Sequence, residues 1–155
     1  MRLRTVVFPV LVASFSFAAG VAVERKSAAK DLESRIYSQE DARLSTGDWG
    51  SIRLYTEDGT PTFGTGSMLT AQLEFVPGKQ LHPPHRHAEE EFQYVIEGSG
   101  TWSLNGKESP AKKGDLMYSK PWDEHGILNT GTEPLRFFVV KWSSKGVPPP
   151  AQAGK

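Results

Sequence analysis

The sequence predicts an all-β domain, a double-sheet jelly roll or small barrel, and three observations carry that expectation. Short runs of strand-forming residues recur along the chain, each ended by turn residues. Within 67–76, Leu69, Ala71, Leu73 and Phe75 alternate with Met68, Thr70, Gln72 and Glu74, which is the period of a strand with one buried face. Asn105-Gly106 sits between two such runs, and this dipeptide suits the type I′ turn of a hairpin because both residues tolerate positive φ.

The N-terminus differs in kind from the rest of the chain. Arg2 and Arg4 precede 18 uncharged residues, Val6 to Val23, with Ala18, Ala19, Gly20 and Ala22 near their end. Residues 1–22 therefore read as a secretory signal peptide, which makes the expected location secreted or periplasmic. An uncleaved anchor is the competing reading, since 18 residues lie at the lower limit for spanning a bilayer. Membrane association is expected only in that case. Arg2 and Arg4 are not adjacent, so a twin-arginine signal is not supported.

Residues 23–50 form a polar arm in which Leu32 and Ile36, four apart, suggest one short helix. The barrel is expected over 51–145, with strands at 51–56, 67–76, 91–97, 101–104, 116–119, 126–128 and 135–142. Pro77-Gly78, Gly98-Ser99-Gly100, Lys113-Gly114-Asp115 and Thr130-Gly131 punctuate it. The run 135–142 carries Phe137, Phe138, Val139 and Val140 on both faces, which implies an interior strand or one covered by a partner subunit. A homodimer is one expectation on that ground, the alternative being that the arm covers this surface. Residues 146–155, with Pro148, Pro149 and Pro150, read as a disordered tail.

Length and composition bound the function. A chain of 155 residues that is 37% hydrophobic accommodates one globular domain with a core. Formal net charge is zero and no Lys/Arg run accompanies the aromatics, which argues against nucleic acid as a partner. Cysteine is absent, so an exported domain would have no disulfide and would depend on its core and any bound metal.

All four histidines lie between His82 and His125, and three of them join a glutamate in the pattern His85-x-His87-x3-Glu91 followed by His125-x3-Asn129. His-x-His places two imidazoles on one face of a strand, because side chains alternate with period 2. A carboxylate four residues on and a third imidazole from a distant strand would close one face of a coordination sphere. Imidazole with carboxylate suits Fe, Mn, Ni, Co, Cu or Zn and is less suited to Mg or Ca. The expected metal ligands are therefore His85, His87, Glu91 and His125. Glu91 has a bland reading as well, being the last of the acidic run Glu89-Glu90-Glu91, but parity puts it on one face with Gln93 and Val95.

With these residues in place, the chain resembles the cupin superfamily. Its first motif is matched by Gly78, His85, His87, Glu91 and Gly98, and its second by Gly114, His125 and Asn129. Two departures stand out: six residues rather than five separate Gly78 from His85, and Lys120 and Trp122 replace the usual Pro and Gly, with Pro121 adjacent. The resemblance covers 76–142 and implies a double-stranded β-helix that holds a divalent transition metal through His85, His87, Glu91 and His125. Within the superfamily, an exported single-domain form resembles germins or small flavonol-dioxygenase-like proteins.

Four protein ligands would leave a six-coordinate ion two adjacent open positions, enough for a chelating substrate or for a substrate oxygen beside O₂. The first functional expectation is a dioxygenase-type oxidoreductase acting on a small molecule with neighbouring oxygens, with Glu91 as the candidate catalytic base. The alternatives are a non-catalytic binder of a small ligand outside the cytoplasm, a metal-dependent isomerase or lyase, and a closed structural Zn site. His82, stiffened by Pro83-Pro84, is either a rim imidazole or an exposed loop residue. Asn129 is either a neighbour of the site or a turn residue, and Trp122, Tyr94, Tyr118, Trp102 and Phe137 are either pocket-wall or core residues. Asp123 and Glu124 are rim carboxylates or loop solvation.

Overall fold

A computed structural model of the chain describes residues 32 and 34–152. The expected leader, 1–22, lies outside them. Among the described residues nine strands occur in order: β1 (Arg43–Gly47), β2 (Gly50–Leu54), β3 (Thr65–Phe75), β4 (Glu90–Glu97), β5 (Ser99–Leu104), β6 (Lys107–Lys112), β7 (Leu116–Ser119), β8 (His125–Leu128) and β9 (Leu135–Ser144). They form a six-stranded sheet in the order β1-β2-β3-β9-β4-β7 and a three-stranded sheet in the order β6-β5-β8. No helix occurs among the described residues, and the fold is the all-β double-stranded β-helix expected from the sequence.

The alternation within each strand produces the core. Ala71, Leu73 and Phe75 of β3 face Val95 of β4, Leu135, Phe137 and Val139 of β9, and Trp102 and Ile127 of the small sheet. Phe137 is 2% exposed and packs edge-on against Phe75, with ring centroids 5.0 Å apart. Burying such a ring contributes roughly 2–3 kcal/mol. Strand β9 lies between β3 and β4, in register with both, so its two apolar faces follow from an interior position. Asn105 and Gly106 have φ of 52° and 76° and join β5 to β6 in the expected hairpin.

Three expectations are corrected. Ser34 and Arg35 form a bend and Ile36 to Ser38 have no regular structure, so the described residues of the arm contain no helix at Leu32–Ile36. Ile36 is 90% exposed, and with no partner for that side chain a helix there would bury nothing. The strand ladder also begins at Arg43 rather than 51, because β1 pairs with β2 across Asp48-Trp49 although every β1 side chain is exposed. Strand β6 is likewise absent from the expected set. Its Pro110 would break a central strand, but β6 is an edge, where the missing N–H costs no ladder bond. Residues 146–152 carry no strand or helix, and the Pro150 carbonyl accepts a 2.6 Å hydrogen bond from the Trp122 indole.

Candidate metal centre

The two histidine segments meet through their backbones. His85 and His125 exchange N–H···O bonds of 3.0 Å in both directions, an antiparallel bridge of a single residue pair. Gly126 permits that approach, since a Cβ there would stand 3.2 Å from the Pro84 Cα. The Trp122 N–H donates to the His87 carbonyl at 2.8 Å, which ties the second histidine to the same loop. Arg86 and Glu124 pair at 3.1 Å beside this junction, giving Glu124 a structural partner. The expectation that His85 and His87 lie on a strand is corrected: only His85 makes a bridge, and Arg86 and His87 are irregular. Proximity to β8, rather than strand periodicity, aligns the rings.

One ligating atom from each of His85, His87 and His125 lies within 4.8 Å of the others. Glu91, on β4, joins them: its Oε2 is 3.3 Å from His87 Nε2 and its Oε1 is 3.5 Å from His125 Nε2. The outer nitrogens are fixed by carbonyls, with His87 Nδ1 3.1 Å from Glu89 O and His125 Nδ1 2.9 Å from Asp123 O. A carbonyl only accepts, so each Nδ1 carries the proton and each neutral ring turns its Nε2 lone pair toward the Glu91 carboxylate. Acceptor then faces acceptor, an arrangement relieved by a proton on the imidazole or by a cation between them. His125 Nε2 and His85 Nδ1 are moreover buried without a hydrogen-bond partner. The donor set fits a divalent transition ion, and His85, His87 and His125 could hold one.

Titration behaviour follows from the same contacts. Burial pushes the Glu91 carboxyl up, but the His125 and His87 imidazoles when protonated, together with the hydrogen bond from Gln93, outweigh it and hold the group well below the usual carboxylate range. Burial lowers His125, yet Glu91 and the Asp123 carbonyl together raise it above the ordinary imidazole value. His85 is pushed down to about 4 by burial and by the imidazoles of His82, His125 and His87.

A cavity of about 230 Å³ opens onto His85, His87 and Glu91, lined on its apolar side by Ile52, Leu69, Leu73, Phe75, Phe137 and Val139. Phe137 belongs to both, lining this wall and packing in the core. Trp102 belongs instead to the core, Tyr94 and Tyr118 stand exposed on the outer face of the large sheet, and Trp122 lies in the loop before β8. Two polar lining residues fall outside the sequence-based candidates. Gln93 is buried and donates a hydrogen bond from Nε2 to Glu91 Oε1, and Lys141 extends from β9. Gln93 shares inward parity with Glu91 on β4, and Lys141 with Phe137 and Val139 on β9, a signal present in the sequence. His82 is exposed and lines the rim, its ring 4.1 Å from that of His85. Asn129 serves the turn: fully buried, it donates to Phe75 O and Glu133 O and accepts from Gly131 N–H.

Comparison with known proteins extends this picture. The family model described as a cupin domain matches residues 71–141. An oxalate-binding protein from Thermotoga maritima is 33% identical over 72 residues, 46% of this chain and 60% of that protein. A gentisate 1,2-dioxygenase from a Streptomyces species is 30% identical over 74 residues, 47% of this chain and 20% of that protein. The chain thus spans well under two thirds of these two relatives. It covers 83% of a protein of uncharacterised function from Methanocaldococcus jannaschii, with 40% identity over 104 residues, 61% of this chain. Among solved structures, a Klebsiella pneumoniae protein with a double-stranded β-helix domain is similar at a TM-score of 0.55 and 27% identity, over 79% of this chain and all of that one. Fold, motif spacing and these similarities agree, and the chain belongs to the cupin superfamily.

Proposed function

We propose that the protein is a metal-dependent oxidoreductase of dioxygenase type that acts on a small organic molecule with two neighbouring oxygens. The observation that carries the reading is the convergence of three imidazoles and the ionised Glu91 on one point at the cavity. A bound divalent transition ion would supply Lewis acidity, lowering the pKa of a chelating hydroxyl or enol. His85, His87 and His125 would hold the ion, with Glu91 as fourth ligand. Leu69, Leu73, Phe75 and Val139 exclude water and pack the carbon skeleton of the substrate. The depressed carboxyl suits Glu91 to binding a cation more than to taking a proton, so its use as a base requires release from His87 and His125. The gentisate dioxygenase relative supports the reaction class. The leader-like N-terminus supports a reaction outside the cytoplasm in this reading.

A second reading, a non-catalytic binder, is favoured by the small cavity and by the relative named as an oxalate-binding protein. Oxygen consumption separates the two. Protein loaded in turn with Fe, Mn, Ni or Cu and offered catechols and flavonols should consume O₂ with at least one pairing. No consumption with any pairing, together with a tightly retained co-purified ligand, would favour the binder.

A further inference from the structure

The inward row of β9 runs Leu135, Phe137, Val139 and then Lys141, so a cation ends a series of buried apolar positions. Lys141 is directly opposite Glu91 on β4 and opposite Leu69 on β3. Side chains paired in this way share a sheet face, which puts the lysine stem beside the candidate fourth ligand. Its side chain is 19% exposed, and it is the one Lys or Arg among the described residues lining the cavity. An inward ammonium in a barrel loses hydration, so it is retained only with compensation. The compensation visible is a 3.1 Å contact with Asp58, a turn residue whose side chain is 61% exposed. An ion pair with one partner in water is weak and exchangeable.

We infer that Lys141 is the specificity-determining group of this cavity, selecting among small oxygen chelators those that also carry a carboxylate. The inference rests on the chelation reading above and deepens it. The chelating oxygens take the imidazole end of the cavity, the apolar wall takes the carbon skeleton, and the added carboxylate exchanges with Asp58 for the Lys141 ammonium. A neutral chelator leaves the Lys141–Asp58 pair untouched and gains nothing from it.

Calorimetric titration of metal-loaded protein with catechol and with 3,4-dihydroxybenzoate tests this without reliance on turnover. Wild type should bind the carboxylate compound roughly tenfold more tightly, the factor expected of one charge-assisted hydrogen bond. Lys141→Met, which keeps the apolar stem, should abolish that preference while leaving catechol affinity within about twofold. Lys141→Arg should retain it. A preference that survives Lys141→Met, or wild type that binds both compounds equally, overturns the assignment. If neither compound binds metal-loaded wild type, the chelation reading itself falls and this inference with it.

Discussion

Gln93 determines how firmly Glu91 is held. Its Nε2 donates to Glu91 Oε1, while its own Oε1 is buried without a partner, so the amide is committed to the carboxylate. Partners of this kind orient a ligand before the metal arrives. Gln93→Ala should therefore weaken metal binding roughly 10- to 100-fold without abolishing it, as read by competition with a chelating dye. Proton linkage offers a second test in the metal-free protein. His85, pushed down to about 4, stays neutral while the unfolded chain protonates near an ordinary imidazole value of about 6.5. Between those values the unfolded state binds more protons, so stability falls as pH falls through the window. His125, raised in the fold, stabilises below its unfolded value and loses that contribution as pH rises through its folded one. Glu91, strongly depressed, stabilises above the ordinary carboxylate range and loses its contribution only in stronger acid. The melting temperature of metal-free protein should fall from pH 6.5 to 4, less steeply in His85→Gln. An equal slope in the two proteins would show that the imidazole is not shielded as described.

At the scale of elements, two glycines separate backbone conformation from packing. Gly106 has φ of 76° and nothing lies within 4 Å of where a Cβ would stand, so Gly106→Ala costs only the left-handed turn, about 1 kcal/mol. Gly98 has φ of 82° and a Cβ there would lie 2.4 Å from Pro134 O, so Gly98→Ala should cost clearly more. Urea unfolding of both variants checks the order. These turns also show what was legible. Asn105-Gly106 could be read because the dipeptide encodes its own geometry, and β4 because Glu91, Gln93 and Val95 alternate with exposed Phe92 and Tyr94. Strands β1 and β6 could not, since one buries no side chain and the other holds Pro110, and both depend on a neighbouring strand. The ligand candidates were legible from spacing alone. The bridge that aligns His85 with His125, and the role of Lys141, depend on contacts between segments distant in sequence, whereas Gln93 reaches Glu91 two residues away on the same strand.

On the scale of the whole molecule, the outer face of the large sheet remains apolar. Phe92 stacks on Trp142 at 5.5 Å and packs against Tyr118 at 5.1 Å, with Tyr94 46% and Leu116 60% exposed beside them. A face of this character favours self-association. Light scattering of residues 23–155 should give a dimer that Tyr94→Glu weakens, and a monodisperse wild-type monomer would remove the idea. The cavity on the opposite side of the same sheet ties the fold to its chemistry, because strands β3, β4 and β9 supply both its apolar wall and Glu91.

In the proposed centre His85, His87, Glu91 and His125 gather around a single cation. Elemental analysis of reconstituted, exhaustively dialysed protein tests it most directly. Wild type and His82→Ala should each retain about one transition-metal ion per chain, and His87→Ala and His125→Ala should retain almost none while staying folded. Wild type that emerges empty, or His82→Ala that loses its ion, would contradict the account.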